Sequence, residues 1–208
     1  MMRILDLEKW ERKEHFQFFN QFEEPYFGVC VEVDCTIAYQ KSKQLGTSFF
    51  LYYLHKTAVA VNQTEPFRYR INENNDIIIY DSISVSATIG RPDGTFGFGY
   101  VPYDEDYQNF ETTAKIETER IINSTGLLLT ANSEDVIHCS SLPWVKFTSM
   151  SHARRLTSKD SCPKISYGKM TEINGKKLMP VSIHVHHALM DGLHVGMFVE
   201  RFQSLMDS

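Results

Sequence analysis

The sequence has 208 residues, 42% of them hydrophobic and 23% charged, and a formal net charge of −5 at pH 7. These values are typical of one soluble globular domain over residues 1–208, because a chain of this length buries about 70% of its unfolded surface. Its 21 lysines and arginines are outnumbered by 26 carboxylates. Phosphate binding requires clustered cations, so nucleic acid is not expected as a partner.

The N-terminal segment has no apolar stretch of signal-peptide length, and no segment approaches the roughly 20 apolar residues that cross a bilayer. We therefore expect a cytoplasmic protein that does not bind a membrane. Cys30, Cys35, Cys139 and Cys162 are too widely spaced for a CxxC redox pair or a zinc knuckle. We expect all four to be free thiols.

The first half of the sequence combines strand and helix patterns. Alternating apolar residues predict a strand over 29–34, and helical periodicity predicts helices over about 36–45 and 48–62. Two β-prone runs joined by an Asn-rich turn predict a hairpin over 67–81. Residues 82–89 alternate again and predict a further strand.

A turn-rich stretch opens the second half. Glycine and proline are frequent in residues 90–103, where Phe96 and Phe98 could line a cleft. Residues 104–124 are predicted to form a helix, because acidic residues at the start suit the helix dipole and apolar residues lie broadly on one side.

The last third of the sequence supplies strands and a final helix. Predicted strands over 136–141 and 145–149 flank a Leu-Pro-Trp segment, so Ser140 lies where a proline interrupts the sheet. An Asn-Gly turn closes a predicted hairpin over 164–187, and residues 193–206 form an amphipathic helix. Strands and helices mix without a strict β-α repeat, which predicts the α+β class.

The segment 181–196 has the strongest chemical signal. It places His187 and Asp191 four residues apart, where an alternating strand gives way to a helix, with Gly192 at the bend. The ordinary pKa of histidine lies near neutrality, so a histidine at a strand end beside a sharp turn is well placed to act as a general base.

The residues alone leave two alternatives open for these histidines. His187 could be a core histidine that donates one proton to a backbone carbonyl. His184 and His186 point to the same face of the predicted strand and could bind a metal, with His194 or an acid as the third ligand.

A family resemblance narrows these alternatives. His186-His-Ala-Leu-Met-Asp-Gly-Leu-His-Val-Gly196 resembles the HHxxxDGxHV signature of the type A chloramphenicol acetyltransferases, whose fold is shared with dihydrolipoyl acyltransferase catalytic cores. Further segments resemble that family in the same order: Trp10-Glu-Arg-Lys-Glu-His-Phe16, Val61-Asn-Gln63, Phe67-Arg68, Tyr80-Asp-Ser82, Leu142-Pro-Trp-Val-Lys-Phe147 and Leu178-Met-Pro180. The resemblance implies a two-layer sandwich, with helices on one face of a mixed, largely antiparallel sheet.

The resemblance also implies residue roles. His187 would be the general base that takes the proton of a chloramphenicol hydroxyl as its oxygen attacks the thioester of acetyl-CoA, with both substrates bound at once. Ser140 would donate a hydrogen bond to the oxyanion. Asp191 would form a structural ion pair with Arg12, while His187 would fix its tautomer through its own backbone carbonyl.

The same resemblance implies a homotrimer whose active sites lie between subunits. Acetyl-CoA would be a co-substrate, with no bound cofactor or metal. The residues that match the acceptor pocket are Phe19, Phe27, Thr88, Phe96 or Phe98, and Ser166, and those that match positions near coenzyme A are Trp144 and Lys169.

Several positions depart from the family pattern. Pro25 replaces the usual acceptor-pocket cysteine, and residues 126–133 and 151–163 lack the usual elements. On the coenzyme side, Ser48 stands where a lysine is common and Met170 replaces an aromatic residue. Two alternatives therefore stay open: acyl transfer to a different small hydroxylated acceptor, and a non-catalytic trimer that binds coenzyme A or another ligand.

Overall fold

The computed structural model describes residues 1–128, 134–154 and 160–208. The helices are α1 (Lys13–Phe19), α2 (Thr36–Gln44), α3 (Phe49–Asn62), α4 (Tyr107–Ile122) and α5 (Gly192–Met206). The strands are β1 (Met2–Ile4), β2 (Tyr26–Asp34), β3 (Tyr69–Ile71), β4 (Ile77–Tyr80), β5 (Ser84–Gly90), β6 (Phe96–Val101), β7 (Val136–Ser141), β8 (Lys164–Tyr167), β9 (Thr171–Ile173) and β10 (Lys176–His186). Within these ranges, no helix is long and apolar enough to cross a membrane.

The main sheet has the strand order β2-β10-β8-β7-β5-β6, and β9 pairs with β10. The pairs β5–β7 and β7–β8 are parallel, and the others are antiparallel. The strands β1, β4 and β3 form a separate small sheet. The predicted α+β class, with a mixed and largely antiparallel sheet, is confirmed.

The helices cover one face of this sheet. The Tyr53 hydroxyl of α3 lies 2.8 Å from the Ser141 hydroxyl of β7, and Thr57 of α3 bonds the Tyr167 hydroxyl of β8 at 2.7 Å. Side chains alternate along a strand, so the neighbours of these sheet residues point to the opposite face. That second face carries Ser140 and Ser166, and it is far more polar than the helix-covered face.

The predicted turn-rich stretch 90–103 contains a strand instead. Phe96–Val101 pairs with β5 as β6, and the prediction of turns is wrong there. Its glycines serve close packing: a Cβ on Gly97 would lie 3.0 Å from Ile121, and one on Gly99 would lie 3.2 Å from Glu117, both on α4. The glycines therefore allow α4 to pack closely against β6, and they do not mark a turn.

The predicted strand over 145–149 is also wrong. Strand β7 ends at Ser141, and the Val145 N–H donates to the Leu142 carbonyl at 3.1 Å, which closes a turn around the proline. The Val145 carbonyl then accepts from the Lys169 N–H at 2.8 Å. This single backbone hydrogen bond connects residues 145–149 to the chain after β8 but does not extend the sheet.

Arg70 joins the small sheet to the main one. Its side chain is fully buried and donates to the carbonyls of Phe67, Tyr69, Glu134 and Val136 at 2.6–2.9 Å. A buried guanidinium is costly unless its donors are satisfied, and these backbone acceptors supply that. Arg70 thus binds β3 to the start of β7.

Candidate active site

His187 follows directly after the last residue of β10. Its backbone N–H donates to the Pro25 carbonyl at 2.8 Å, and the N–H groups of Leu189 and Met190 both donate to the His186 carbonyl. Ala188, Leu189 and Met190 are fully buried. The turn is therefore anchored in the core by apolar side chains, while the His187 ring remains half-buried at its edge.

Two aromatic rings hold the His187 imidazole. The Phe19 ring at the end of α1 is stacked on it, and the Phe27 ring of β2 lies 4.7 Å away at an angle of 49°. Phe18 and Phe22 contact Phe19 and extend this aromatic surface toward solvent, being 59% and 46% exposed. Sequence reasoning did not single out Phe18 and Phe22, although Phe18 is next to Phe19 on α1 and Phe22 follows three residues after that helix ends.

The Nδ1 atom of His187 is buried, and within the described residues it has no hydrogen-bond partner. The expectation that the histidine's own carbonyl fixes its tautomer therefore differs from the structure. The ring orientation is held by aromatic contacts and by the backbone bond to Pro25. In a neutral imidazole one nitrogen carries the proton and the other can accept one.

Arg12 and Asp191 form an ion pair at the start of α5. Arg12 donates from Nη1 to Oδ2 of Asp191, which is the N-cap residue of α5 and also accepts the Leu193 N–H at 3.0 Å through Oδ1. Partial burial raises the pKa of Asp191, but the hydrogen bond and charge of Arg12 outweigh it, so this pKa lies below its ordinary value. Between the described residues, no hydrogen bond joins Asp191 to His187, so the two do not form a catalytic pair.

Three residues predicted to line the acceptor pocket, Thr88, Phe98 and Ser166, lie in one row with Ser140 on the polar face of the sheet, whereas Phe96 lies two residues away on β6, opposite Gly90. Ser140 of β7 is opposite Ser166 of β8, and Thr88 of β5 is opposite Phe98 of β6. The pairing of β5 with β7 ends one residue earlier, which places Thr88 level with Ser140. Ser166 is fully buried, and its hydroxyl has no partner among the described residues.

One chain does not bring His187 and Ser140 together. The row through Ser140 and Ser166 reaches β10 at Ser182, five residues before His187. At about 3.3 Å per residue along a strand and about 4.8 Å between strands, the two side chains are separated by roughly 15–20 Å. We call Phe19, Phe27 and His187 the histidine half-site, and Thr88, Phe98, Ser140 and Ser166 the serine half-site.

Trp144 and Lys169 lie together just beyond the serine half-site. Trp144 is 81% exposed in the turn after β7, and the adjacent Val145 carbonyl accepts the Lys169 N–H. The Lys169 side chain is also exposed. The pair presents an aromatic surface and a cation to solvent, a combination suited to a nucleotide with phosphate groups.

The match to a known family extends over almost the whole chain. A family model described as chloramphenicol acetyltransferase matches residues 1–203. The chain belongs to the chloramphenicol acetyltransferase family. It is therefore an acyltransferase enzyme.

Individual relatives agree with this assignment. The chloramphenicol acetyltransferase of Proteus mirabilis is 29% identical over 205 residues, covering 98% of this chain and 94% of the relative. Chloramphenicol acetyltransferase 3 of Escherichia coli is also 29% identical, covering 98% and 96%. A solved chloramphenicol acetyltransferase structure matches with a TM-score of 0.92 and 31% identity, covering 99% of this chain and all of that one. A Listeria monocytogenes protein described as a probable dihydrolipoamide acetyltransferase, 14% identical with a TM-score of 0.67, shares the fold and covers 93% of this chain and 88% of its own.

The departures from the chloramphenicol acetyltransferase pattern have different structural settings. Pro25 contributes its carbonyl to His187, a role that does not depend on its side chain. Ser48 is the N-cap of α3 but makes no side-chain cap bond, and Met170 is half-buried against the core. Parts of the two divergent segments, residues 129–133 and 155–159, lie outside the described residues.

The metal alternative finds little support in the geometry. His184 lies 3.1 Å from the Ser182 hydroxyl, whereas His194 is bound to Asp191 on α5. These histidines do not form one ligand set in the part of the chain that is described.

Sequence reasoning missed a polar cluster where β7 pairs with the start of β8. In the described ranges, the single group of three side chains close enough to share a metal ion is His138, Asp160 and Cys162. The Lys164 ammonium pairs with Asp160 there and neutralises its charge. Burial, with a smaller contribution from the nearby Lys164 charge, lowers the pKa of His138 to about 4. Asp160, Cys162 and Lys164 are close in sequence, whereas His138 is distant and meets them through the pairing of β7 with β8.

Proposed function

We propose that this chain is an acetyl-CoA-dependent O-acetyltransferase that transfers the acetyl group to a hydroxyl of chloramphenicol, with His187 as the general base. The main observation that supports this proposal is the position of His187. Its imidazole is half-buried at the end of β10, oriented by aromatic rings and free of any charged partner among the described residues. A neutral imidazole offers an unprotonated ring nitrogen that can act as a general base.

The proposed reaction is a direct transfer in a ternary complex. Because Nδ1 is buried, Nε2 of His187 faces the acceptor and takes the hydroxyl proton as the oxygen attacks the thioester carbonyl carbon. The new C–O bond gives a tetrahedral oxyanion, which Ser140 stabilises by donating its hydroxyl proton in a hydrogen bond. The C–S bond then breaks, and the imidazolium returns its proton to the thiolate. The products are the acetyl ester and free coenzyme A.

The separation of the two half-sites supports an active site shared between copies of the chain. A site that contains both His187 and Ser140 requires the histidine half-site of one subunit and the serine half-site of another. We propose that the protein is a homotrimer in which each such site lies at a subunit interface. In this arrangement Phe19 and Phe27 line one side of the acceptor pocket, and Thr88, Phe98 and Ser166 line the other.

Coenzyme A is proposed to enter beside Ser140. Trp144 follows the end of β7 and Lys169 follows the end of the adjacent β8. An adenine ring against the indole and a phosphate near the ammonium would then direct the thioester toward Ser140. Arg12 and Asp191 remain outside the reacting atoms and hold the turn that carries His187.

The first experiment measures thiol release from acetyl-CoA in the presence of chloramphenicol. His187→Ala is expected to abolish transfer, while His15→Ala, a substitution of an exposed histidine, is expected to leave it unchanged. Undiminished turnover by His187→Ala would overturn the assignment of the base.

A second experiment tests the shared site. His187→Ala and Ser140→Ala chains are each expected to be nearly inactive alone. Mixed oligomers of the two variants contain some sites with an intact His187 and an intact Ser140, so activity is expected to reappear on co-expression. If both residues came from the same chain, mixing would restore nothing. Sedimentation measurements give the oligomeric state of each variant.

A different small hydroxylated acceptor is the second candidate, favoured by Pro25 in the acceptor pocket and by the exposed rings of Phe18 and Phe22. A panel of hydroxylated acceptors in the same thiol-release assay separates the two substrates. A non-catalytic trimer would show coenzyme A binding by calorimetry and no thiol release with any acceptor.

A further inference from the structure

His194 closes a hydrogen-bonded box at the start of α5. Its Nδ1 accepts the backbone N–H of Asp191 at 3.1 Å, while the Asp191 carboxylate accepts backbone N–H groups of the first helical turn. Glutamate or glutamine is the usual residue at this position of a capping box. A histidine there can lose its acceptor function by taking up a proton, whereas glutamine cannot.

Protonation would change the partner of His194. Neutral Nδ1 offers a lone pair to the Asp191 N–H, but it also lies 2.9 Å from Oδ1 of Asp191. A protonated Nδ1 donates a hydrogen bond to Oδ1 of Asp191. The imidazolium then competes with the Leu193 N–H for this acceptor. Burial lowers the pKa of His194 and the Arg12 charge lowers it further, although Asp191 acts in the opposite direction. The neutral form, and with it the capping box, therefore prevails near neutral pH.

Asp191 is connected to the His187 ring along two routes. Along the chain, the two are separated by Ala188, Leu189 and Met190, all fully buried. Through space, Asp191 holds Arg12, the N-cap residue of α1. The last residue of that helix is Phe19, whose ring is stacked on His187. A displacement of Asp191 is thus transmitted both to the base and to its stacking partner.

We propose that neutral His194 is a positioning residue for acyl transfer, because it fixes Asp191 and thereby the orientation of the His187 imidazole. The inference rests on the proposed role of His187. Besides Asp191 and Arg12, His194 has titratable or charged neighbours across an adjacent cavity of about 390 Å³, whose described lining includes Lys9, Glu11 and Tyr69.

The test compares His194→Gln with His194→Leu. Glutamine restores an acceptor for the Asp191 N–H without a titratable ring, whereas leucine removes the acceptor. At pH 7.5 we expect His194→Leu to lower kcat by about tenfold with KM little changed, since a small misplacement of a base reduces the rate strongly. His194→Gln is expected to stay within about threefold of the wild type, because it retains the capping box.

The acid limb of the pH profile supplies a second readout. On acidification, kcat/KM of the wild type is expected to fall more steeply than that of His194→Gln, because the variant lacks the titrating ring at position 194. Nitrogen-detected NMR of the His187 ring gives a third readout that needs no turnover. The ring signals should shift in His194→Leu and match the wild type in His194→Gln.

The outcomes separate this inference from the proposed function. If the wild type transfers no acetyl group, the proposed function fails, and the NMR comparison still decides whether His194 positions His187. If the wild type is active and His194→Leu matches it in kcat, pH profile and ring signals, the positioning role is overturned. Thermal unfolding of each variant shows that the assays are made on folded protein.

Discussion

The imidazole of His187 lies parallel to the Phe19 ring, with ring centroids 3.7 Å apart and 11° between the planes. Phe19 belongs to the N-terminal helix α1, and His187 to the turn after the last strand. The two ends of the sequence therefore meet at the proposed base.

Replacing Phe19 by alanine should slow the reaction with little loss of folded protein. An aromatic pair contributes about 0.5–1.5 kcal/mol beyond its buried area, so loss of the stack corresponds to a decrease of up to about tenfold in kcat. Phe18→Ala is the matched control, because that ring is 59% exposed and, among the described residues, packs against Phe19 and Phe22 and not against His187. Equal kinetics for Phe19→Ala and the wild type would contradict the role of the stack.

Substitutions of Asp191 should separate the contribution of its ion pair to stability from the contribution of its helix cap. Asp191→Asn keeps an N-cap acceptor but leaves Arg12 unpaired, and we expect a loss of about 2 kcal/mol in the free energy of unfolding because the pair is partly buried. Asp191→Ala removes the cap as well and should cost about 1 kcal/mol more. Urea denaturation measures both, and identical values for the two variants would show that the cap contributes nothing.

Arg70→Met should destabilise the protein strongly. The substitution leaves the carbonyls of Phe67, Tyr69, Glu134 and Val136 without their buried donor, at a cost of about 1 kcal/mol or more for each. We expect a loss of at least about 3 kcal/mol, since little solvent can replace these bonds.

The control for Arg70 is Arg3→Met, because the Arg3 side chain is 67% exposed. Its unfolding free energy is expected to change by less than about 0.5 kcal/mol. Comparable unfolding midpoints for the two variants would contradict the account of Arg70 as the junction of the two sheets.

Stability should fall on acidification between pH 6.5 and 4. Burial lowers the pKa values of His138, His152 and His186 to about 4 from an ordinary 6.5. The unfolded chain therefore binds more protons than the folded one in this window, and stability is retained above it and lost as the pH falls through it.

Buried His186 alone contributes up to about 1.4 kcal/mol per pH unit to this loss. Unfolding free energies of the wild type and of His186→Asn at pH 7.5 and 5 should differ in their pH dependence, while His15→Asn, at an exposed position, should follow the wild type. A flat stability profile across this range would refute the prediction.

Gly28→Ala should destabilise the edge of the main sheet. A Cβ at Gly28 would lie 2.3 Å from Nε2 of His184, its partner on β10, so the imidazole must move at a cost of about 1–3 kcal/mol. Gly196→Ala is the contrast, because its Cβ meets nothing within 4 Å and lies inside α5. That substitution should stabilise the protein by up to about 1 kcal/mol, as measured by thermal unfolding.

Local patterns predicted most elements because periodicity and turn chemistry act over short distances. The helix over 48–62 and the Asn-Gly hairpin are found as predicted, and Asn174 and Gly175 both have positive φ. The predictions for 90–103 and 145–149 failed because both depend on contacts between residues remote in the chain. Gly97 and Gly99 allow close contact with α4, and no described strand pairs with residues 145–149, so neighbouring residues do not reveal either outcome.

The sequence by itself predicted the α+β class and placed His187 at the junction of a strand and a helix, because both depend on residue type and spacing. The resemblance of its motifs to the family supplied a candidate residue for each role. Only the tertiary structure decided which candidates meet. Strand register placed Ser140 with Thr88 and Ser166, and packing of α1 placed Phe19 on His187. It also placed His194 on Asp191 and separated His187 from Ser140. Distances between residues remote in the chain depend on how sheets and helices pack, and local sequence carries no measure of them.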